Sequence, residues 1–246
     1  MLSRYSLKAI FIPRLPWLLW LAALFLFVAV WLFPVSTTLT RSIGLGLLAA
    51  VWFGLVGIGW RHRLVRFGLL GITALCGVFL ALPARSHSDA TAIRSAYVVG
   101  LRHYEGVTYY WGGESPKGID CSGLVRRGLI DSLFLGGIRT FDAGLVRQAI
   151  GLWWHDCSAR DFGEGHGYTT RLCSTPSINA LDHSKILPGD LAVTSTGVHI
   201  MAFLGNNLWI EADPGIGRVV TVSAPSKDNP WFHEPMIIVR WKIFLQ

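Results

Sequence analysis

The first third of this 246-residue chain holds three long apolar runs and not one acidic side chain, a pattern that leaves a water-soluble fold few options. The runs are Leu15 to Phe33, Ile43 to Trp60 and Phe67 to Leu82. The first two are long enough to cross a bilayer as helices. The third reaches spanning length when Leu64 and Val65 join it and Arg66 snorkels to the interface. A cleavable signal peptide does not fit, because three such runs are present and no small-residue cleavage site follows the first. Three transmembrane helices at about 15–33, 43–60 and 64–82 are therefore expected, with two as the fallback.

The formal net charge of +7 resembles that of a nucleic-acid binder, but its distribution argues otherwise. Residues 1–84 carry seven Lys and Arg, while residues 85–246 carry fifteen against all 15 acids. The basic excess belongs to the apolar segment, so a nucleic-acid partner is not expected. Arg4, Lys8 and Arg14 precede the first run, Arg61, Arg63 and Arg66 separate the second and third, and only Arg41 lies between the first two. Basic residues stay on the cytoplasmic side, so three spans place everything from about Arg85 onward outside the cytoplasm; two spans would place it inside.

Roughly 160 residues remain after the apolar segment, enough for one domain with its own core. Ser88 to Tyr104 has helical spacing through Ala92, Ala96, Val99 and His103, and Asp142 to Trp154 has it through Ala143, Val146, Ala149, Ile150 and Trp153. Cys157 to about Lys185 is polar, rich in Gly, Ser and Thr, and reads as an extended surface loop. Short β-rich runs then follow at Leu191–Thr194, Val198–Leu204, Leu208–Ala212, Arg218–Val222 and Met236–Phe244. Helices followed by an antiparallel sheet make an α+β domain over 85–246. No internal repeat or low-complexity tract interrupts it.

The chemistry-bearing motif is Asp120-Cys121-Ser122-Gly123, which follows the turn Tyr109-Tyr110-Trp111-Gly112-Gly113. Cys121 opens a helix expected to run to about Leu135, with Leu124, Val125, Leu129 and Leu133 on its core side. A thiol at a helix N-terminus meets the positive end of the dipole and unpaired N–H groups, which favour the nucleophilic thiolate. Further on, His199, Met201 and Phe203 alternate onto one strand face. A three-residue Gly205-Asn206-Asn207 loop pairs Leu204 with Leu208 and sets His199 opposite Asp213, with Glu211 diagonally adjacent. A two-residue Asn206-Asn207 turn instead moves both carboxylates to the other face. Cysteine, histidine and an orienting acid together form a nucleophile–base–orienter set. Cys157 and Cys173 leave three readings open: a disulfide, two free thiols, or a zinc site with His155 and His166, whose spacing matches no standard finger.

These residues resemble the NlpC-type family of papain-like cell-wall cysteine peptidases. The resemblance covers about Ala90 to Phe244. It rests on Tyr109 to Gly113, on Gly118 to Val125, on Pro188-Gly189-Asp190-Leu191, and on His199 followed by Leu204-Gly205-Asn206. It implies a papain-like fold, with the nucleophile helix packed on an antiparallel sheet. It also implies hydrolysis of peptidoglycan stem peptides, most commonly at the γ-D-glutamyl-diamino acid bond. Cys121 falls at the nucleophile position and His199 at that of the general base. Glu211 occupies the third position, where many relatives carry histidine, with Asp213 as rival. Tyr109 matches an oxyanion-holding tyrosine; Asp120 and Ser122 match substrate contacts, with Trp111 beside them as a further candidate. Asp120 opposes a thiolate, so an ion pair with His199 is needed. No metal or organic cofactor is implied.

The apolar runs and their charge pattern point to a multi-pass protein of the bacterial inner membrane, with the domain on the extracytoplasmic side and the bilayer as one partner; the resemblance adds peptidoglycan as the other. No oligomeric state is implied. Residues 132–184 exceed the family pattern and read as a surface insertion or a lid. Two alternatives compete. One is a thiol-dependent acyltransferase or amidase acting on lipids, although cysteine before histidine is the reverse of the permuted lipid-acting branch. The other is a catalytically inactive wall-binding membrane protein.

Overall fold

The computed structural model describes residues 15–85, 89–166 and 168–245. Arg4, Lys8, Arg14 and Ser88, all used in the sequence reading, lie outside the described residues. The chain divides into two compact units: one takes in Thr37–Ala81 and the residues up to Phe33, the other Pro34–Ser36 and Leu82 onward.

The first unit contains α1 (Leu15–Leu32), α2 (Thr38–Ile58) and α3 (Arg63–Ala81), of 18, 21 and 19 residues. All three are long and apolar enough to cross a bilayer. Helix α2 starts five residues before the expected Ile43, because Thr37 and Thr40 close a reciprocal capping box there. Trp20 Nε1 donates to Val51 O at 2.8 Å and holds α1 against α2.

The second unit is α+β. Helix α4 (Ala90–Arg102), capped by Asp89, buries Ile93, Tyr97 and Leu101. A two-stranded ribbon, β1 (Glu114–Ser115) and β2 (Gly118–Ile119), leads into α5 (Cys121–Thr140). Helix α6 (Ala143–Trp154), capped by Asp142, packs against α5 and is followed by the short α7 (Ala159–Gly163). The sheet comprises β3 (Thr169–Thr175), β4 (Leu191–Thr194), β5 (Ile200–Gly205), β6 (Leu208–Asp213), β7 (Arg218–Ser223) and β8 (Met236–Trp241). Its order is β3-β8-β4-β5-β6-β7, antiparallel throughout.

Strand alternation gives the sheet two apolar faces. Leu191, Val193, Ile200, Ala202, Ile210, Ala212 and Val239 form one core with Leu124, Val125 and Leu129 of α5. Ala192, Met201, Phe203, Trp209 and Ile238 form the other, under Ile178, Ile186 and Phe232. The helix that begins at Cys121 thus packs on an antiparallel sheet, as the α+β reading required. The Pro188-Gly189-Asp190 turn is held by a buried Asp190, which accepts from Arg240 Nε at 2.6 Å and Nη2 at 2.7 Å.

Two stretches of the second unit differ most from expectation. Helix α5 passes Leu135 and runs to Thr140, because Gly137 is a close-approach position and not a stop: a Cβ there would lie 2.6 Å from Val146 Cγ2 of α6. The 157–185 stretch is not simply an extended loop, since it contains α7 and β3. Strand β3 lacks alternation: it is an edge strand whose register with β8 shifts between Arg171 and Cys173, and the four residues from Arg171 to Ser174 are all exposed. Cys157 and Cys173 are free thiols.

Candidate active site

Cys121 is the first residue of α5, and three local devices put it there. Asp120 Oδ1 accepts from Gly123 N at 2.6 Å and from Ser122 Oγ at 2.9 Å, capping the helix. Asp120 Oδ2 accepts from Gly112 N at 2.8 Å, tying the helix start to the preceding turn. Gly123 and Gly113 pack backbone to backbone, and a Cβ at Gly123 would collide with the Gly113 carbonyl oxygen. Cys121 is buried, with 8% of the residue exposed.

His199 immediately precedes β5. Its backbone N–H donates to Thr194 Oγ1 at 3.1 Å, and its carbonyl accepts from Thr194 N at 3.0 Å. The imidazole Nε2 meets Glu211 Oε2 at 2.6 Å, with both side chains 1% exposed. Burial by itself would lower the His199 pKa; hydrogen bonds to Cys121 and Glu211, and their negative charge, outweigh it and raise the pKa to about 9. Since Nε2 is occupied by Glu211, Nδ1 is left for the sulfur.

The hairpin reaches this register by neither expected route alone. Asn206 and Asn207 form a two-residue turn, both at positive φ, and Gly205 pairs with Leu208 where Leu204 was expected to. A bulge between Phe203 and Gly205 then shifts the register by one, so that Phe203 pairs with Trp209 and Ala202 with Ile210. Glu211 is thereby returned to the face that carries His199. Asp213 points elsewhere: its Oδ1 accepts from Gly215 N at 2.5 Å and Ile216 N at 2.9 Å and closes the turn before β7.

Tyr109 is clamped between two segments. Its N–H donates to Gly217 O at 2.8 Å, and it forms a parallel bridge with Ile119, two residues before the cysteine. Burial, followed by the charges of Cys121, Asp120 and Asp213, raises its pKa to about 12, so its hydroxyl remains a proton donor beside the sulfur. Trp111 is 82% exposed and unobstructed for a ligand. Ser122 is engaged with Asp120.

Two residues at the site carry no signal in the sequence. Asn229 is buried, and its Nδ2 donates to Glu211 Oε1. Trp231 stacks on the His199 imidazole, with centroids 4.2 Å apart and planes inclined by 16°. They lie 30 and more residues from His199, and Asn229-Pro230 by itself reads only as a turn. Among the described residues, no three His, Cys, Asp or Glu side chains converge as a metal site.

No family model matches the sequence. The chain is 27% identical over 180 residues to the probable endopeptidase NlpC of Escherichia coli, across 69% of this chain and 95% of that one. Among solved structures it is similar to NlpC2 from Trichomonas vaginalis, at 19% identity and a TM-score of 0.42, covering 63% of this chain and 50% of the other. NlpC1 of the same organism gives 17% identity and 0.40, covering 64% and 47%. The peptidoglycan hydrolase RipB from Mycobacterium tuberculosis gives 19% and 0.39, covering 70% and 78%. The chain thus spans about half the length of the two Trichomonas proteins. The similarity to the E. coli protein extends the NlpC-type resemblance from four motifs to nearly the whole of a relative.

Proposed function

We propose that this NlpC-type chain is a membrane-anchored cysteine peptidase of the bacterial cell wall. Its substrate is the peptidoglycan stem peptide, and the bond cut is the γ-D-glutamyl-diamino acid amide. The observation that carries this reading is the buried His199–Glu211 pair meeting Cys121 at the head of α5. A structural cysteine has no use for a buried, charge-raised imidazole. The E. coli relative, named as an endopeptidase, supports the reaction class. The three apolar helices support the anchor.

The reaction follows from the atoms in place. With His199 as imidazolium and Cys121 as thiolate, the sulfur attacks the amide carbon and the C=O electron pair moves to oxygen. The N–H groups at the start of α5 and the Tyr109 hydroxyl stabilise that oxyanion. As the intermediate collapses, the C–N bond breaks and His199 Nδ1 gives its proton to the leaving amine. The neutral imidazole then takes a proton from water. The resulting hydroxide attacks the thioester, the C–S bond breaks, and the carboxylic acid leaves with thiolate and imidazolium restored. Glu211 holds the imidazole and stabilises its charge throughout. Asp120 and Ser122, beside the sulfur, and the exposed Trp111 are the substrate contacts in this reading.

The full-length protein in detergent, incubated with purified peptidoglycan and with soluble stem peptides, tests the proposal by mass spectrometry of the products. Cleavage of one amide bond, absent in Cys121→Ala, is expected. Intact substrates alongside rapid iodoacetamide alkylation of Cys121 would redirect the search to lipid amides and thioesters. Intact substrates and an inert thiol would leave a wall-binding protein.

A further inference from the structure

The residues assigned so far end at Glu211, but the hydrogen-bonded chain does not. Glu211 Oε2 faces His199 while Oε1 accepts from Asn229 Nδ2. Which end of the Asn229 amide faces Glu211 is fixed independently: Asn229 Oδ1 accepts from Trp231 N at 2.9 Å, so Oδ1 is the oxygen and the NH2 points at the carboxylate. That second bond caps the 3-10 turn Pro230–His233, the turn that lays Trp231 flat on the imidazole. One buried asparagine thus fixes the base in two ways, through the edge of the ring by way of Glu211 and through its face by way of Trp231.

We propose that Asn229 and Trp231 are positioning residues of the site, Asn229 locking the Glu211 rotamer and Trp231 restricting ring rotation of His199. The proposal rests on the cysteine-peptidase reading. The alternatives open to Glu211 explain why such a lock is needed. A buried carboxylate with one partner has a free oxygen that costs energy to leave unsatisfied, and rotation about its terminal torsion is broad. Asn229 fills that second oxygen with a neutral donor, so no second cation competes with the imidazole for the carboxylate. Cys121 from α5 and Glu211 from β6 are the groups whose charge acts on His199, and the carboxamide leaves that balance unchanged. Trp231 covers the ring and limits competition from water for its hydrogen bonds. The segment is itself anchored: Asn179 Nδ2 donates to Ser226 O at 2.8 Å, and Ser226 N donates to Asn179 Oδ1 at 2.9 Å.

Four variants of the full-length protein separate positioning from mere folding. Asn229→Ser keeps a helix-capping oxygen but cannot reach Glu211, whereas Asn229→Ala removes both bonds. Trp231→Phe keeps a flat ring, and Trp231→Ala does not. Two readouts are used: kcat and KM for stem-peptide cleavage, and the pH dependence of Cys121 alkylation by iodoacetamide, which needs no peptide substrate. Asn229→Ser and Trp231→Ala are expected to lose about 10²-fold in kcat, the scale of a misplaced catalytic group, with KM changed little. The high-pH limb of their alkylation profiles moves to lower pH, and Trp231→Phe recovers most of the loss. If Asn229→Ser and Trp231→Ala fold and their alkylation profiles overlay the parent's, the two residues only support the loop and the proposal is wrong. Should the parent cleave no stem peptide, the alkylation profiles still decide the positioning claim, so the two readings fail separately.

Discussion

Replacing Tyr109 by phenylalanine removes a hydroxyl held in its protonated form beside Cys121 and leaves the ring in place. An oxyanion donor stabilises only the transition state, so kcat for Tyr109→Phe should fall by about 10²-fold while KM is unchanged. Steady-state kinetics on a stem peptide checks this, and a kcat within twofold of the parent's would remove Tyr109 from the mechanism. His199 gives the pH dependence. Its pKa is raised from 6.5 to about 9, so the imidazolium and its ion pair with Glu211 are intact at neutral pH. The stability contributed by the pair is full below about 6.5, the unfolded value, and lost as pH rises through about 9. The alkaline limb of kcat/KM should fall in that same window. In Glu211→Gln the limb should move down by at least about one unit, each unit being roughly 1.4 kcal/mol of lost interaction. At this scale the sequence was legible where chemistry is local. Cys121 beside its cap Asp120, and His199 in one hairpin with two candidate carboxylates, are read from spacing, while the preference for Glu211 over Asp213 comes from the family resemblance. Asn229 and Trp231 were not legible, since a stacked ring and a bond to the back of a carboxylate are made by folding and leave no periodicity.

The elements were readable where a single period or cap decides them, and obscure where two signals oppose each other. Helix α6 begins at its Asp142 cap and ends at Trp154, as its apolar spacing requires. The expected end of α5 near Leu135 falls short of Thr140, and the structure uses Gly137 inside the helix to bring α6 close. The β5–β6 hairpin is subtler: turn and bulge each shift register by one, and only their combination keeps Glu211 with His199. Strand β3 was hidden because its register shift between Arg171 and Cys173 and its run of exposed residues break the alternation. The packing of the turn before α5 makes a prediction at this scale. Gly123→Ala places a methyl against the Gly113 carbonyl, and neither backbone yields easily. It should cost about 1–3 kcal/mol, or roughly 2–4 °C in Tm per kcal/mol for a domain of this size. Gly151→Ala in α6, whose Cβ meets nothing within 4 Å, is the control and should be neutral or slightly stabilising. Thermal unfolding of both variants checks the pair, and equal Tm values would refute the close-packing account.

For the molecule as a whole, the span count sets the compartment of the site, and one short segment bears on it. Pro34–Ser36 follow the first apolar helix yet belong to the second unit: Val35 bridges Gly113, Ser36 N donates to Gly112 O at 2.8 Å, and Ser36 Oγ lies 3.3 Å from Glu114 Oε2. Residues 34–36 and the domain after α3 therefore lie on one side of any membrane the chain crosses. Crossing by both α2 and α3 satisfies that condition, as the three-span expectation requires, whereas crossing by α1 and α2 alone does not. In the three-span reading, with Arg61, Arg63 and Arg66 between α2 and α3 on the cytoplasmic side, the Cys121 site would face outward, toward the wall. Cys173 reports on this directly, being exposed on β3 and remote in sequence from Cys121. In a variant with Cys173 as sole cysteine, a membrane-impermeant maleimide applied to right-side-out spheroplasts should label the protein fully, and lysis should add nothing. Labelling only after lysis would place the domain inside the cell, leave two spans as the count, and remove the wall from its reach.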